Sequence, residues 1–203
     1  MENVKHKKDR ADSCESPRER HKKQREKKRS GNSWAVKVFF IAIALSAVLS
    51  LCSERALSGA GLAAACIVLL FFILLGILFD IIGVAVTAAD ERPFHSMAAR
   101  KTPGARQSLA LIRKANQVSS FCNDVVGDIC GIISGTTAAV IVVQLQNLFT
   151  PVPATVLSLI VTALVSGLTI GGKAIGKTFA IDKSTAVLCL VGRILHFFSG
   201  NKR

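Results

Sequence analysis

The sequence predicts an all-α integral membrane protein with about four transmembrane helices, and three observations lead there. The 203 residues are 50% hydrophobic, yet they carry 26 Lys/Arg against 13 Asp/Glu, a formal charge of +13. These two properties are segregated: 12 of the 26 basic residues fall within residues 1–33, which hold almost no large apolar side chain. Ile129 to Gly172, by contrast, is a run of 44 residues without one charge. No water-soluble domain has an interior thick enough for such a run, whereas two membrane crossings of about 20 residues each use it fully.

Residues 1–33 mix charge signs, as in Lys5-His6-Lys7-Lys8-Asp9-Arg10. They lack the apolar surface that offsets the entropy of ordering, so a disordered or at most transiently helical cytoplasmic tail is expected. Its position against a hydrophobic segment favours anionic lipid headgroups over nucleic acid as its partner, at roughly 1 kcal/mol per basic residue. The first span is read at 34–52, with Trp34 suited to the interface and Lys37 able to snorkel. Leu51 is too large for a lipoprotein signal ending at Cys52, and Ser53-Glu54-Arg55 offers no small-x-small exit, so an uncleaved anchor is expected.

The second span is read at 61–84, long enough to tilt or to break near Asp80 and Gly83. Residues 90–120 are polar and basic, and Ala105, Leu109, Leu111, Ile112 and Ala115 recur at roughly helical spacing, which suggests an amphipathic cytoplasmic linker at the interface. A third span at 123–149 and a fourth at 154–172 flank a turn made by Pro151 and Pro153. Residues 185–198 are apolar but too short to cross, and carry Arg193 and His196; they are read as an interfacial helix closing a transmembrane domain of 34–199. With both termini cytoplasmic, 24 of the 26 Lys/Arg lie on one side, leaving Arg55 outside and Lys37 at the inner edge. The positive-inside rule therefore selects a multi-pass plasma-membrane protein in that orientation, with a bacterial inner membrane as the default.

Ionisable residues at membrane depth are candidates for function. Here they are Asp80, Asp124 and Asp128, the last two one helical turn apart with Asn123 adjacent. Their oxygens suit a hard cation, magnesium above all, in a cation pathway; a structural pair with Lys173 is the competing reading. Gly127, Gly131 and Gly135 repeat every four residues, a small-residue stripe for close helix approach within the chain or across a homodimer, and the neighbouring carboxylates are expected to face protein. Gly171 to Thr178 satisfies G-x-x-x-x-G-K-[ST], but the run before it reads as a membrane helix and no βαβ alternation surrounds it, so no nucleotide is expected. The six cysteines form no C-x-x-C pair, and the four histidines lie in the tail or near interfaces. No nucleophile with a base emerges, so an enzyme is not expected and no cofactor is implied.

Phe79-Asp80-Ile81-Ile82-Gly83-Val84-Ala85-Val86-Thr87, the linker run Gly104 to Ile112, Cys122-Asn123-Asp124-Val125-Val126-Gly127, and Gly172-Lys173-Ala174-Ile175-Gly176-Lys177-Thr178-Phe179-Ala180 follow in an order that resembles the transmembrane domain of CorB/CorC-type magnesium and cobalt transporters, related to the cyclin M proteins. The resemblance covers roughly Leu62 to Phe198, hence the last three spans. It implies a dehydrated magnesium ion as the transported species, held by hydroxyls of the first pattern, an asparagine of the second and a glutamate of the third. Only Asn123 matches; Ile82 stands at the serine position, Gly83 at its acidic neighbour and Lys173 at the glutamate. The expectation is a divergent module without the family's CBS domains, linked to divalent cation transport. The alternative is a non-transporting adaptor or regulator that keeps the fold and has lost the ion site.

Overall fold

A computed structural model describes residues 17–59, 61–148 and 153–198, with side chains from Val36 onward. The readings for residues 1–16, for the Trp34 side chain and for Pro151 lie outside the described residues. The chain forms two compact units, 1–43 and 44–203. Helix α1, Pro17–Leu57, runs through the division. Within it Val36–Leu57 is long and apolar enough to cross a membrane. The first described part of α1, from Pro17, lies inside the segment expected to be disordered or at most transiently helical. Its Lys, Arg, Glu and Gln residues are good helix formers, and extending an existing helix avoids the cost of nucleating one.

The described part of the second unit is a series of helices joined by short turns. Helix α2 is Leu62–Ala88, whose 27 residues include one charge, Asp80. In hydrocarbon each backbone polar group must bond within its own segment, so such a stretch continues as helix through Asp80 and Gly83 without the break that was anticipated. It stops at Ala89, where the backbone turns extended and Asp90 caps the next helix by accepting from the Arg92 N–H at 3.1 Å.

The linker is three short helices, not one: α3 (Glu91–Ala99), α4 (Ala105–Arg113) and α5 (Ala115–Ser120). Lys101 and Gly104 have φ of 55° and 89°, left-handed values that end α3 and start α4. The apolar residues seen in the sequence pattern turn inward here. Leu109, Leu111, Ile112 and Ala115 pack on a core of Val86, Phe94 and Leu188. Much of the apolar face expected to meet lipid therefore meets protein.

A π-helical turn, Phe121–Val126, joins α5 to α6 (Gly127–Leu148). Helix α7, Ala154–Asp182, continues ten residues past the expected end at 172, because nothing in Lys173 to Asp182 breaks a helix once started. Helix α8, Ser184–Phe198, completes the described chain. Ala115–Leu148 and Ala154–Asp182 join Val36–Leu57 and Leu62–Ala88 as helices able to span a bilayer, making four among the described residues. Among them no strand occurs. The described chain is of all-α class, with four helices long and apolar enough to cross a membrane.

The core is α2 packed along α6 and α7. Close approach is achieved by small residues. A Cβ added at Gly176 would lie 2.9 Å from Ile81 Cγ1, and one at Gly172 would lie 3.3 Å from Ile77 Cγ1 and run into its Cδ1. Ile77 and Ile81, one turn apart, thus seat in two notches of α7 that are also one turn apart. On the other side, a Cβ at Gly76 would approach Cys130 Cβ at 3.2 Å, and Gly83 faces Asn123. These pairings make α7 parallel and α6 antiparallel to α2, so Ala88, Phe121 and Asp182 lie at one end of the core.

Candidate functional site

That end of the core carries its polar groups. The register of Ile81 against Gly176 sets their neighbours, Asp80 and Lys177, beside each other: Lys177 Nζ is 4.0 Å from Asp80 Oδ2. The Asp80 side chain is 6% exposed and that of Lys177 54%. At 4.0 Å this is an ion pair without a hydrogen bond, and Asp80 Oδ2 is buried with no hydrogen-bond partner among the described residues. The gross attraction is about 4 kcal/mol at an effective dielectric of 20, lessened by the water that reaches the lysine.

One turn further along α2, Gly83 leaves room for the Asn123 side chain. A Cβ there would stand 2.9 Å from Asn123 Cγ and closer still to Oδ1. The π-helical turn presents Asn123 to this notch, and its Nδ2 donates to Ser119 Oγ at 3.3 Å. The Asn123 Oδ1 is a second buried acceptor with no hydrogen-bond partner among the described residues. Lys173, one turn before Lys177 on α7, reaches toward α6: its Nζ is 3.6 Å from the position a Gly127 Cβ would take. Two acceptor oxygens, one from α2 and one from the π-helical turn, and two ammonium groups therefore lie at one end of the α2–α6–α7 junction.

The four residues singled out in the sequence divide accordingly. Asp80 and Asn123 sit at the junction, whereas Asp124 and Asp128 are exposed on the surface of the chain. The expectation that the latter two face protein rested on the stripe beside them, and within one chain that stripe is open at Gly131 and Gly135, where an added Cβ meets nothing within 4 Å. The lysine paired with a buried carboxylate is Lys177, not Lys173. Among the described residues, no three His, Cys, Asp or Glu side chains gather closely enough to hold a metal ion.

Residues 171–178, the match to a phosphate-binding loop, are uninterrupted helix, so their backbone N–H groups do not form a phosphate cradle. Their glycines instead admit Ile77 and Ile81. The spacing of Ile77 and Ile81 against Gly172 and Gly176 was the available signal for the Asp80–Lys177 pair, since equal four-residue steps fix the register of two parallel helices. Comparison with protein-family models, with curated proteins and with solved structures finds no match to this chain.

Proposed function

We propose that this chain is a divergent CorB/CorC-like membrane module linked to the movement of magnesium or another divalent cation. The observation that supports it is a pair of buried oxygens without a hydrogen-bond partner among the described residues, Asp80 Oδ2 on α2 and Asn123 Oδ1 facing Gly83 one turn further along α2, at one end of a three-helix junction. A buried carboxylate and a buried amide carbonyl without donors are costly to fold and suited to a hard cation. The position that the resemblance aligns with its ligand asparagine, Asn123, faces Gly83 here. In this reading the Lys177 ammonium is a tethered countercharge that balances Asp80 when no ion is present and must swing away for a cation to enter. Its long, half-exposed stem gives it the freedom to do so.

The module is proposed to sit in a plasma membrane, by default the inner membrane of a bacterium, with both termini cytoplasmic. The basic tail would hold anionic headgroups, and a homodimer would cover Gly131 and Gly135. A second reading, a non-transporting adaptor that has lost the ion site, is favoured by Lys173 beside Gly127 and by the outward placement of Asp124 and Asp128. A cation within a few ångströms of a divalent ion adds repulsion of several kcal/mol, of the order estimated for a half-buried pair.

Flux in proteoliposomes separates the two. Magnesium or cobalt uptake above that of empty liposomes, cut at least tenfold by Asp80→Asn or Asn123→Ala in protein that remains folded, is expected for transport. Liposomes with and without the protein behaving alike would leave the adaptor. Loss of lipid binding on deletion of residues 1–32 would then be its positive sign.

A further inference from the structure

We infer that the cavity between the end of α1 and the middle of α6 is a binding site for a small amphipathic organic ammonium. It measures about 410 Å³ and is framed by Ser50, Ser53, Glu54 and Ser58 on one side and by Thr136 and Thr137 on the other. Ser53 is only 6% exposed and lines the cavity.

The polar groups around it are mainly acceptors. Ser58 Oγ donates to the Arg55 carbonyl at 3.0 Å, and Thr136 and Thr137 both donate to the Ile133 carbonyl, at 2.9 and 2.8 Å. With their protons committed to the backbone, all three present lone pairs to the cavity. Glu54 adds a carboxylate that forms no ion pair within the described residues. The complement of such a surface is a cation that donates hydrogen bonds.

A bare divalent ion is a poor match, because it asks for six or more oxygens, usually from two or more carboxylates, and Glu54 is alone. The remaining wall is apolar, from Leu57, Ile132 and Val140, and the volume suits a molecule with an apolar stem. An ammonium head at Glu54 with a short hydrocarbon or aryl stem fits both parts. The head can belong to a free amine or to an amine-bearing phospholipid.

The test uses the full chain in maltoside micelles, with 4-phenylbutylammonium as the probe and neutral 4-phenylbutanol as its isostere, followed by ligand-observed NMR. The ammonium should bind saturably and the alcohol at least about tenfold more weakly, the size of one charge-assisted contact. Glu54→Gln should lose about tenfold, and Ser53→Ala with Thr136→Val, which leaves the charge untouched, several-fold. Displacement of the probe by phosphatidylethanolamine but not phosphatidylglycerol assigns the head to lipid, and displacement by neither assigns it to a free amine. Equal binding of the two probes, or retention of full affinity in both variants, overturns the assignment.

Discussion

Two four-residue glycine repeats lie on neighbouring helices and behave in opposite ways. Gly172 and Gly176 of α7 are filled by Ile77 and Ile81 of α2, whereas Gly131 and Gly135 of α6 face open space beside Thr162, Val165, Ser166 and Thr169. Between two helices in lipid the hydrophobic effect supplies no net drive, so packing must come from shape. The difference teaches that a small-residue stripe becomes a contact only when a ridge of matching pitch lies opposite. Ile77 and Ile81 provide that ridge for α7. Nothing among the described residues provides it for Gly131 and Gly135, which is why this face is the one proposed for a second copy.

The comparison is broken most directly by filling the occupied notches. Gly172→Val combined with Gly176→Val should destabilise the core by about 2–6 kcal/mol, from two overpacking events of roughly 1–3 kcal/mol each. Thermal unfolding in detergent should show it as a large loss in Tm. The next effect concerns the pair that this register sets. Lys177→Met leaves Asp80 buried without a countercharge and should cost about 1–3 kcal/mol. Adding Asp80→Asn should restore most of that loss, so a double-mutant cycle in the same assay checks whether the two residues act together. The smallest effect falls on the open repeat. Gly131→Ala and Gly135→Ala meet no atoms in the chain, and each should raise protomer stability by about 0.5–1 kcal/mol through helix propensity. In a dimer closed over this face the same changes should lower the dimeric fraction by light scattering. An unchanged fraction would place the dimer contact elsewhere.

The helical spans were legible because uncharged length is a one-dimensional property: a run such as Ile129 to Gly172 needs no knowledge of neighbours to be assigned to lipid. Asp80 and Asn123 were also singled out from the sequence, and the fold brings both to the same end of the core. Register was not legible. Periodicity tells which residues share a face and leaves open what the face meets, so the stripe at Gly127, Gly131 and Gly135 drew attention that belonged to Gly172 and Gly176. The same gap explains why Lys173 was matched with the carboxylates in place of Lys177. In the linker, Leu109 and Ile112 carry an interfacial signature that burial against Leu188 satisfies equally well. The Glu54 and Ser53 cavity gave no signal, because it arises from two helices about 80 residues apart in sequence that share no recognisable pattern.

The π-helical turn at Phe121–Val126 has a mechanical meaning for everything beyond it. A turn of this kind houses one residue more than an α-turn, so the segment before it and the helix after it are held at a fixed angular offset. Deleting a single residue from it would reel α5 in by about 1.5 Å and swing it by about 100° around the α6 axis. Asn123 would leave its notch while Cys130 and its neighbours stayed put, as if one dial on a shaft had been advanced and the other clamped.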